Sequence, residues 1–249
     1  MEGSDILIKK LLILYTGGTF GMQVNSKGLL QPKSGLAEVI RNIPIFYDKK
    51  RSFFEQGDLM CTQEIECTVF KYKVVEFKQL LDSSNMTKHH ILNIYSVIRA
   101  NYKKYDCFIV LIGTDTMAYV AASLSYLFNK TSKSILLTGS QIPLGNQIND
   151  AYENLYGCLR VFARINLNEV ALYFQGAVLR GSAVSKQNSI QYKGFESTQP
   201  ELVINDIELT VSKKLLSYNE QRDCKPKSLS SDFQVCKLTP FFHPHDSLF

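Results

Sequence analysis

Short, nearly continuous apolar runs alternate along this chain with longer stretches whose apolar residues recur three and four positions apart. The first run, Ile6 to Leu14, is broken only by Lys9 and Lys10 and reads as a buried β-strand. Leu36 to Arg41 suits a short helix, and residues 44–66, irregular and polar in patches, read as a surface insertion. Cys67 to Phe77 alternates apolar and basic residues, as in a strand exposed on one side. Leu81 to Thr87 is a loop ending at an N-cap, Thr87, before a helix with Ile91, Ile94, Tyr95 and Ile98 at helical spacing. Tyr105 to Ile112 is a strand buried on both faces, and Thr116 caps a helix running to about Phe128. Ser134 to Thr138 is the next strand. A helix with Ile148, Tyr152, Leu155, Leu159 and Phe162 on one face then leads to a strand at Val170 to Phe174.

Strand and helix alternating in this way predict βαβ units with right-handed crossovers. The fold class is α/β: a parallel-sheet, three-layer, Rossmann-like (flavodoxin-like) domain. Glycines recur where strands end, at Gly17, Gly113, Gly139 and Gly176. Beyond Gly181 the pattern weakens. Residues 1–215 form the α/β domain, 216–232 a polar linker, and 233–249 a segment whose apolar run, Phe233 to Phe242, reads as one more strand. That strand has no following elements to pack against, as if a second domain were cut short.

Composition narrows the class. With 45% hydrophobic and 20% charged residues the 249-residue chain is globular in character and long enough for a sizeable core. The net charge of +5 is modest, and the basic clusters (Lys49-Lys50-Arg51, Lys71 with Lys73, Lys103-Lys104, Lys213-Lys214) are scattered, unlike a nucleic-acid footprint. The six cysteines show no Cys-x-x-Cys spacing, which points to thiols in a reducing compartment. Without a signal-peptide pattern or an apolar run of membrane length, the expected location is cytoplasmic.

Two stretches carry chemistry. In Thr16-Gly17-Gly18-Thr19 the glycines permit a tight turn that leaves the Thr19 hydroxyl at a strand end, where open α/β sheets bind small molecules. In Gly113-Thr114-Asp115-Thr116 a strand ends in a hydroxyl, a carboxylate and a helix start, a setting for a substrate carboxylate and ammonium. Each alone also fits an ordinary capping turn. A threonine nucleophile needs a base. The histidines are poorly placed: His89 and His90 begin a helix, and His243 and His245 lie in the tail, where two imidazoles without a carboxylate or thiol partner make a weak metal signal. Attention moves to Lys186, the lysine beside a glycine-marked strand end at Arg180-Gly181.

Together with Asp82-Ser83-Ser84-Asn85-Met86, Thr138-Gly139-Ser140-Gln141-Ile142-Pro143 and Asp150 with Glu153-Asn154-Leu155, these motifs stand in the order found in L-asparaginases. The chain resembles the type I, cytoplasmic form over about residues 6–206, the family's amino-terminal domain. The resemblance implies hydrolysis of L-asparagine to L-aspartate and ammonia, with neither cofactor nor metal. It makes Thr19 the nucleophile that forms a β-aspartyl ester, and Thr114, coupled to Lys186 and Asp115, the activator of nucleophile or water. Ser83 and Ser84 join Thr114 and Asp115 in binding substrate, Ser83 at the α-carboxylate and Asp115 at the α-ammonium.

This sequence departs from the family pattern in several places. Ile112 stands where type I members commonly have histidine, and Leu29 where some bacterial members have a lid tyrosine. Ala151 replaces a glycine, and Ser182-Ala183 replaces Asn-Arg in the loop leading to Lys186. The family's second domain, which completes a neighbouring subunit's site, is represented only by its first strand. Partners therefore include a second copy or a full-length homologue, with no nucleic acid and no membrane. Alternatives to the asparaginase reading are an impaired isoform or paralogue acting as a binding module, an esterase of lysophospholipase type, and a glutaminase.

Overall fold

A computed structural model describes residues 6–53, 59–188, 194–197, 202–204 and 209–210, the last two segments as backbone only. The chain opens with β1 (Leu7–Gly17), a 3-10 turn at Thr19–Gly21, a hairpin of β2 (Met22–Val24) and β3 (Leu30–Pro32), α1 (Leu36–Arg41) and α2 (Lys49–Phe53). Then come β4 (Met60–Cys61), β5 (Thr68–Leu81), a 3-10 turn at Ser83–Asn85, α3 (Lys88–Asn101), β6 (Cys107–Leu111) and α4 (Thr114–Leu127). The series continues with β7 (Ser134–Thr138), α5 (Ala151–Arg164), β8 (Val170–Phe174), β9 (Ala177–Arg180), β10 (Val184–Lys186) and β11 (Phe195–Ser197). β12 (Leu202–Ile204) and β13 (Leu209–Thr210) complete the described strands.

One sheet runs β13-β12-β9-β8-β7-β6-β1-β5-β4. Its centre, β5-β1-β6-β7-β8, is parallel throughout. In chain order those five strands read 2-1-3-4-5, the flavodoxin-like order. Helices cover both faces, which explains the unbroken apolar runs. Leu11, Ile13 and Tyr15 of β1 pack with α1 and α5 in one core, while Leu12 and Leu14 pack with α3 and α4 in the other. A period of two sends neighbouring side chains to opposite layers, so both parities must be apolar.

The elements differ from expectation where burial and hydrogen bonding overrule local pattern. β1 is not buried along its whole length: Leu7 and Ile8 are half exposed, and burial begins at Leu11, where pairing with β6 starts at Cys107. The segment 44–66 is more than a surface insertion. Phe46, Met60, Cys61 and Ile65 are buried, β4 adds an antiparallel edge to β5, and the Tyr72 hydroxyl donates to the Phe46 carbonyl at 2.7 Å. Its apolar residues are too widely spaced to form a period. Ile148 lies outside α5 and is 83% exposed, because the helix begins only after Asp150. The linker and the apolar run Phe233 to Phe242 lie outside the described residues.

Candidate active site

The strand order reverses between β1 and β6, since β1 connects outward to β5 while β6 leads away to β7. A crevice outside the carboxyl ends of the strands at such a reversal is where open α/β sheets place ligands. Both threonine stretches stand there.

The turn after β1 is held backbone against backbone. Gly17 and Gly18 have φ of 123° and 77°, in the left-handed region that glycine tolerates best. A β-carbon on Gly18 would lie 2.3 Å from the Gly113 nitrogen, and one on Gly17 would lie 2.1 Å from the Leu81 oxygen. The Gly18 amide donates to the Leu81 carbonyl at 2.8 Å, so the ends of β1, β5 and β6 converge on these glycines. Thr19 follows in the 3-10 turn, half-buried, and its hydroxyl receives no hydrogen bond from the described residues. Phe20 anchors the turn in the core, and its carbonyl accepts the Leu144 amide at 2.9 Å.

Helix α4 begins at Thr114 with Gly113 at the N-cap position, three residues earlier than its sequence suggests. Thr116 is not the cap: its hydroxyl donates to the Ser83 carbonyl at 3.0 Å. The Ser83 hydroxyl accepts the Asp115 amide at 3.2 Å, which leaves its own hydrogen for a further acceptor. Ser84 sits differently. It is exposed, and both its amide and its hydroxyl donate to the Asp82 carboxylate at 3.2 Å.

Lys186 arrives from far along the chain. The β10–β11 hairpin pairs Lys186 with Phe195 and is pinned by Phe195, whose ring meets Phe174 edge-on at 5.1 Å. The Ala183 amide donates to the Arg180 carbonyl at 2.9 Å, closing the turn where the family pattern has an arginine. Arg180 itself reaches Glu169 at 2.9 Å; burial raises the Glu169 carboxyl's pKa against the opposing pull of that guanidinium. From this hairpin the Lys186 ammonium donates to Thr114 Oγ1 at 3.0 Å and to Asp115 Oδ1 at 2.6 Å. Its side chain is only 13% exposed, whereas that of Asp115 is 60% exposed and open to a ligand. Ser83, Thr114, Asp115 and Lys186 are therefore one hydrogen-bonded group, and Thr19 joins it through the Gly18–Gly113 contact.

The neighbouring loops are fixed from below by residues whose sequence motif gives no hint of their task. Asp150 accepts the amides of Gln141 and Ile142, both at 2.8 to 3.1 Å. Asn154 donates to the Gly139 carbonyl at 2.9 Å and accepts the Gln175 amide at 3.0 Å, tying α5 to the ends of β7 and β8. His90 is a capping residue, its Nδ1 accepting the Thr87 amide at 3.1 Å. A cavity of about 520 Å³ at the far end of α4, among Ser125, Lys130, Glu169 and Arg180, touches none of the threonines.

Comparison with known proteins gives the family. The profile of the domain "Asparaginase, N-terminal" matches residues 10–216. The chain belongs to the asparaginase family. L-asparaginase 1 of Escherichia coli is 33% identical over 189 residues, 76% of this chain and 51% of that protein. The human 60 kDa lysophospholipase is 34% identical over 190 residues, 75% of this chain and 33% of that protein. The crystal structure of L-asparaginase I from Vibrio cholerae superposes with a TM-score of 0.67 at 30% identity, covering 89% of this chain and 60% of that one. This asparaginase-family chain thus spans a third to about half of the length of the curated relatives it matches. Among its described residues no helix is long and apolar enough to cross a membrane.

The close packing gives one prediction. Alanine at Gly113 would place a β-carbon 2.6 Å from Ser83 Cβ and 2.7 Å from its hydroxyl oxygen. Ser83 must then move. Gly113→Ala is expected to cost about 1–3 kcal/mol of stability by overpacking. It should also weaken ligand binding more than Ser83→Ala does, as read by thermal melts with and without L-asparagine.

Proposed function

We propose that the chain hydrolyses L-asparagine to L-aspartate and ammonia through a threonine nucleophile. The observation that carries this reading is the ammonium of Lys186 bridging Thr114 Oγ1 and Asp115 Oδ1 beside the Thr19 turn. Thr19 Oγ1 attacks the side-chain carbonyl carbon, its proton passing to the leaving nitrogen, and the C–N bond breaks to release ammonia and leave a β-aspartyl ester. Water then cleaves the ester and returns the hydrogen to Thr19. Thr114, with Lys186 and Asp115 behind it, activates the nucleophile in the first half and the water in the second.

Substrate binding follows from the same group. The Ser83 hydroxyl hydrogen and the start of α4 suit the α-carboxylate, and the exposed Asp115 carboxylate suits the α-ammonium. Ser84 supports the turn that carries Ser83, since Asp82 occupies both its amide and its hydroxyl. The reading includes a cytoplasmic location and a paired, oligomeric state, in line with the cytoplasmic type of asparaginase that the motifs resemble. It is tested by ammonia release from L-asparagine, with acid-quenched samples weighed by mass spectrometry for the aspartyl adduct. Release with an adduct on the peptide that contains Thr19 is expected. Absence of turnover, with asparagine still raising the melting temperature, would leave a binding module. Release of fatty acid from lysophospholipid in place of ammonia would favour the esterase reading, which the human relative's name suggests.

A further inference from the structure

Tyr15 stands on β1 four residues before Thr19. Its backbone is paired in register with Glu76 of β5 and Leu111 of β6, and its side chain is fully buried on one face of the sheet in the core that holds Phe20, Leu36 and Ile40. Such a phenol normally finds a hydrogen-bond partner. This one has none: the Tyr15 hydroxyl is among the few buried polar atoms of the described residues without a partner. Its place is specific. A β-carbon on Gly21 would lie 2.4 Å from the Tyr15 hydroxyl oxygen, so the last residue of the Thr19–Gly21 turn rests on the phenol.

The backbone amides of Gly21 and Lys33 face that oxygen without closing on it. Gly21 leads directly into the β2–β3 hairpin and Lys33 directly leaves it. The two are joined by a long bond, the Lys33 amide to the Gly21 carbonyl at 3.4 Å. One hydroxyl therefore lies under both ends of the hairpin that follows the nucleophile. Burial, and then the Glu76 carboxylate, push the phenol's pKa up, so it stays a neutral hydroxyl able to accept from amides.

We propose that Tyr15 is a positioning residue for Thr19: its hydroxyl is the seat on which the Thr19–Gly21 turn and the base of the hairpin settle when substrate binds, the Gly21 and Lys33 amides then donating to its oxygen. An unsatisfied buried hydroxyl destabilises the ligand-free chain, and settling onto it lessens that penalty. Substrate binding is thus coupled to the placing of the nucleophile. The proposal rests on the asparaginase reading above.

The test is Tyr15→Phe, which keeps the ring and removes only the oxygen, in the purified 249-residue chain. Three quantities are compared with the parent: melting temperature, kcat and KM for L-asparagine, and amide hydrogen exchange at Gly21 and Lys33 with and without L-asparagine. The expected result is an unchanged or raised melting temperature, a kcat lower by roughly tenfold with KM raised, and loss of the protection that asparagine confers on those two amides. Full kcat and unchanged protection would overturn the proposal and leave Tyr15 a packing residue. A melting temperature and kcat that fall together, with protection intact, would also overturn it. If the parent chain neither releases ammonia nor is protected anywhere by asparagine, the asparaginase reading fails first and takes this proposal with it.

Discussion

Replacing Thr19 with alanine is expected to lower ammonia release from L-asparagine by at least about 10³-fold while leaving the chain folded. A nucleophile that forms a covalent intermediate has no substitute when its oxygen is gone, and the residual rate is then what binding and electrostatics alone supply. The structural cost is small for a visible reason. Thr19 is half-buried, and its hydroxyl takes part in no hydrogen bond with the described residues. Stability should stay within about 0.5 kcal/mol of the parent. Binding should survive as well, because Ser83 and Asp115 are held by the Ser83–Asp115 and Thr116–Ser83 hydrogen bonds, which do not involve Thr19. The checks are a coupled ammonia assay, the aspartyl adduct on acid quench, and the melting shift produced by asparagine. Loss of rate and adduct with the shift retained is the expected pattern. An adduct persisting in Thr19→Ala would transfer the role of nucleophile to Thr114, the threonine that Lys186 already touches.

How much of this was legible beforehand varies with the physical cause of each element. The strands Ser134–Thr138 and Val170–Phe174 and the helix Leu36–Arg41 stand where the hydrophobic pattern places them. The two strands are readable because every residue is buried, so local pattern and tertiary demand coincide. The start of α4 is different. Thr116 has the chemistry of a cap, but the Ser83 carbonyl takes its hydroxyl, and the helix extends back to Thr114. A long-range bond overrode a local preference. Lys186 shows the same limit at the site. It lies 72 positions from Thr114 and on a three-residue strand, so no periodicity connects them; its place beside a glycine-marked strand end made it a candidate, and only resemblance to the family paired it with Thr114. Tyr15 escaped altogether because, within an apolar strand, a phenol is indistinguishable from core until the turn lying on it is seen.

Lys186→Met is expected to reduce ammonia release by about 10²–10³-fold, the range that loss of a proton-transfer partner commonly costs. The substitution preserves much of the stem that packs along the β10–β11 hairpin and removes the one group seen to hold Thr114 Oγ1 and Asp115 Oδ1 together. Stability should change by only about 0–1 kcal/mol, since the Asp115 carboxylate is already largely in solvent and stays hydrated when its partner goes. Lys186→Arg then separates two ways of acting. Arginine keeps a positive charge near Asp115 but does not give up its proton at any ordinary pH. If Lys186 works as a fixed cation that polarises Thr114, arginine should restore part of the rate. If Lys186 must accept a proton relayed through Thr114, arginine should be as inactive as methionine. A Lys186→Met chain retaining most of the parental rate would remove Lys186 from the chemistry and leave its bond to Thr114 as a brace for the hairpin.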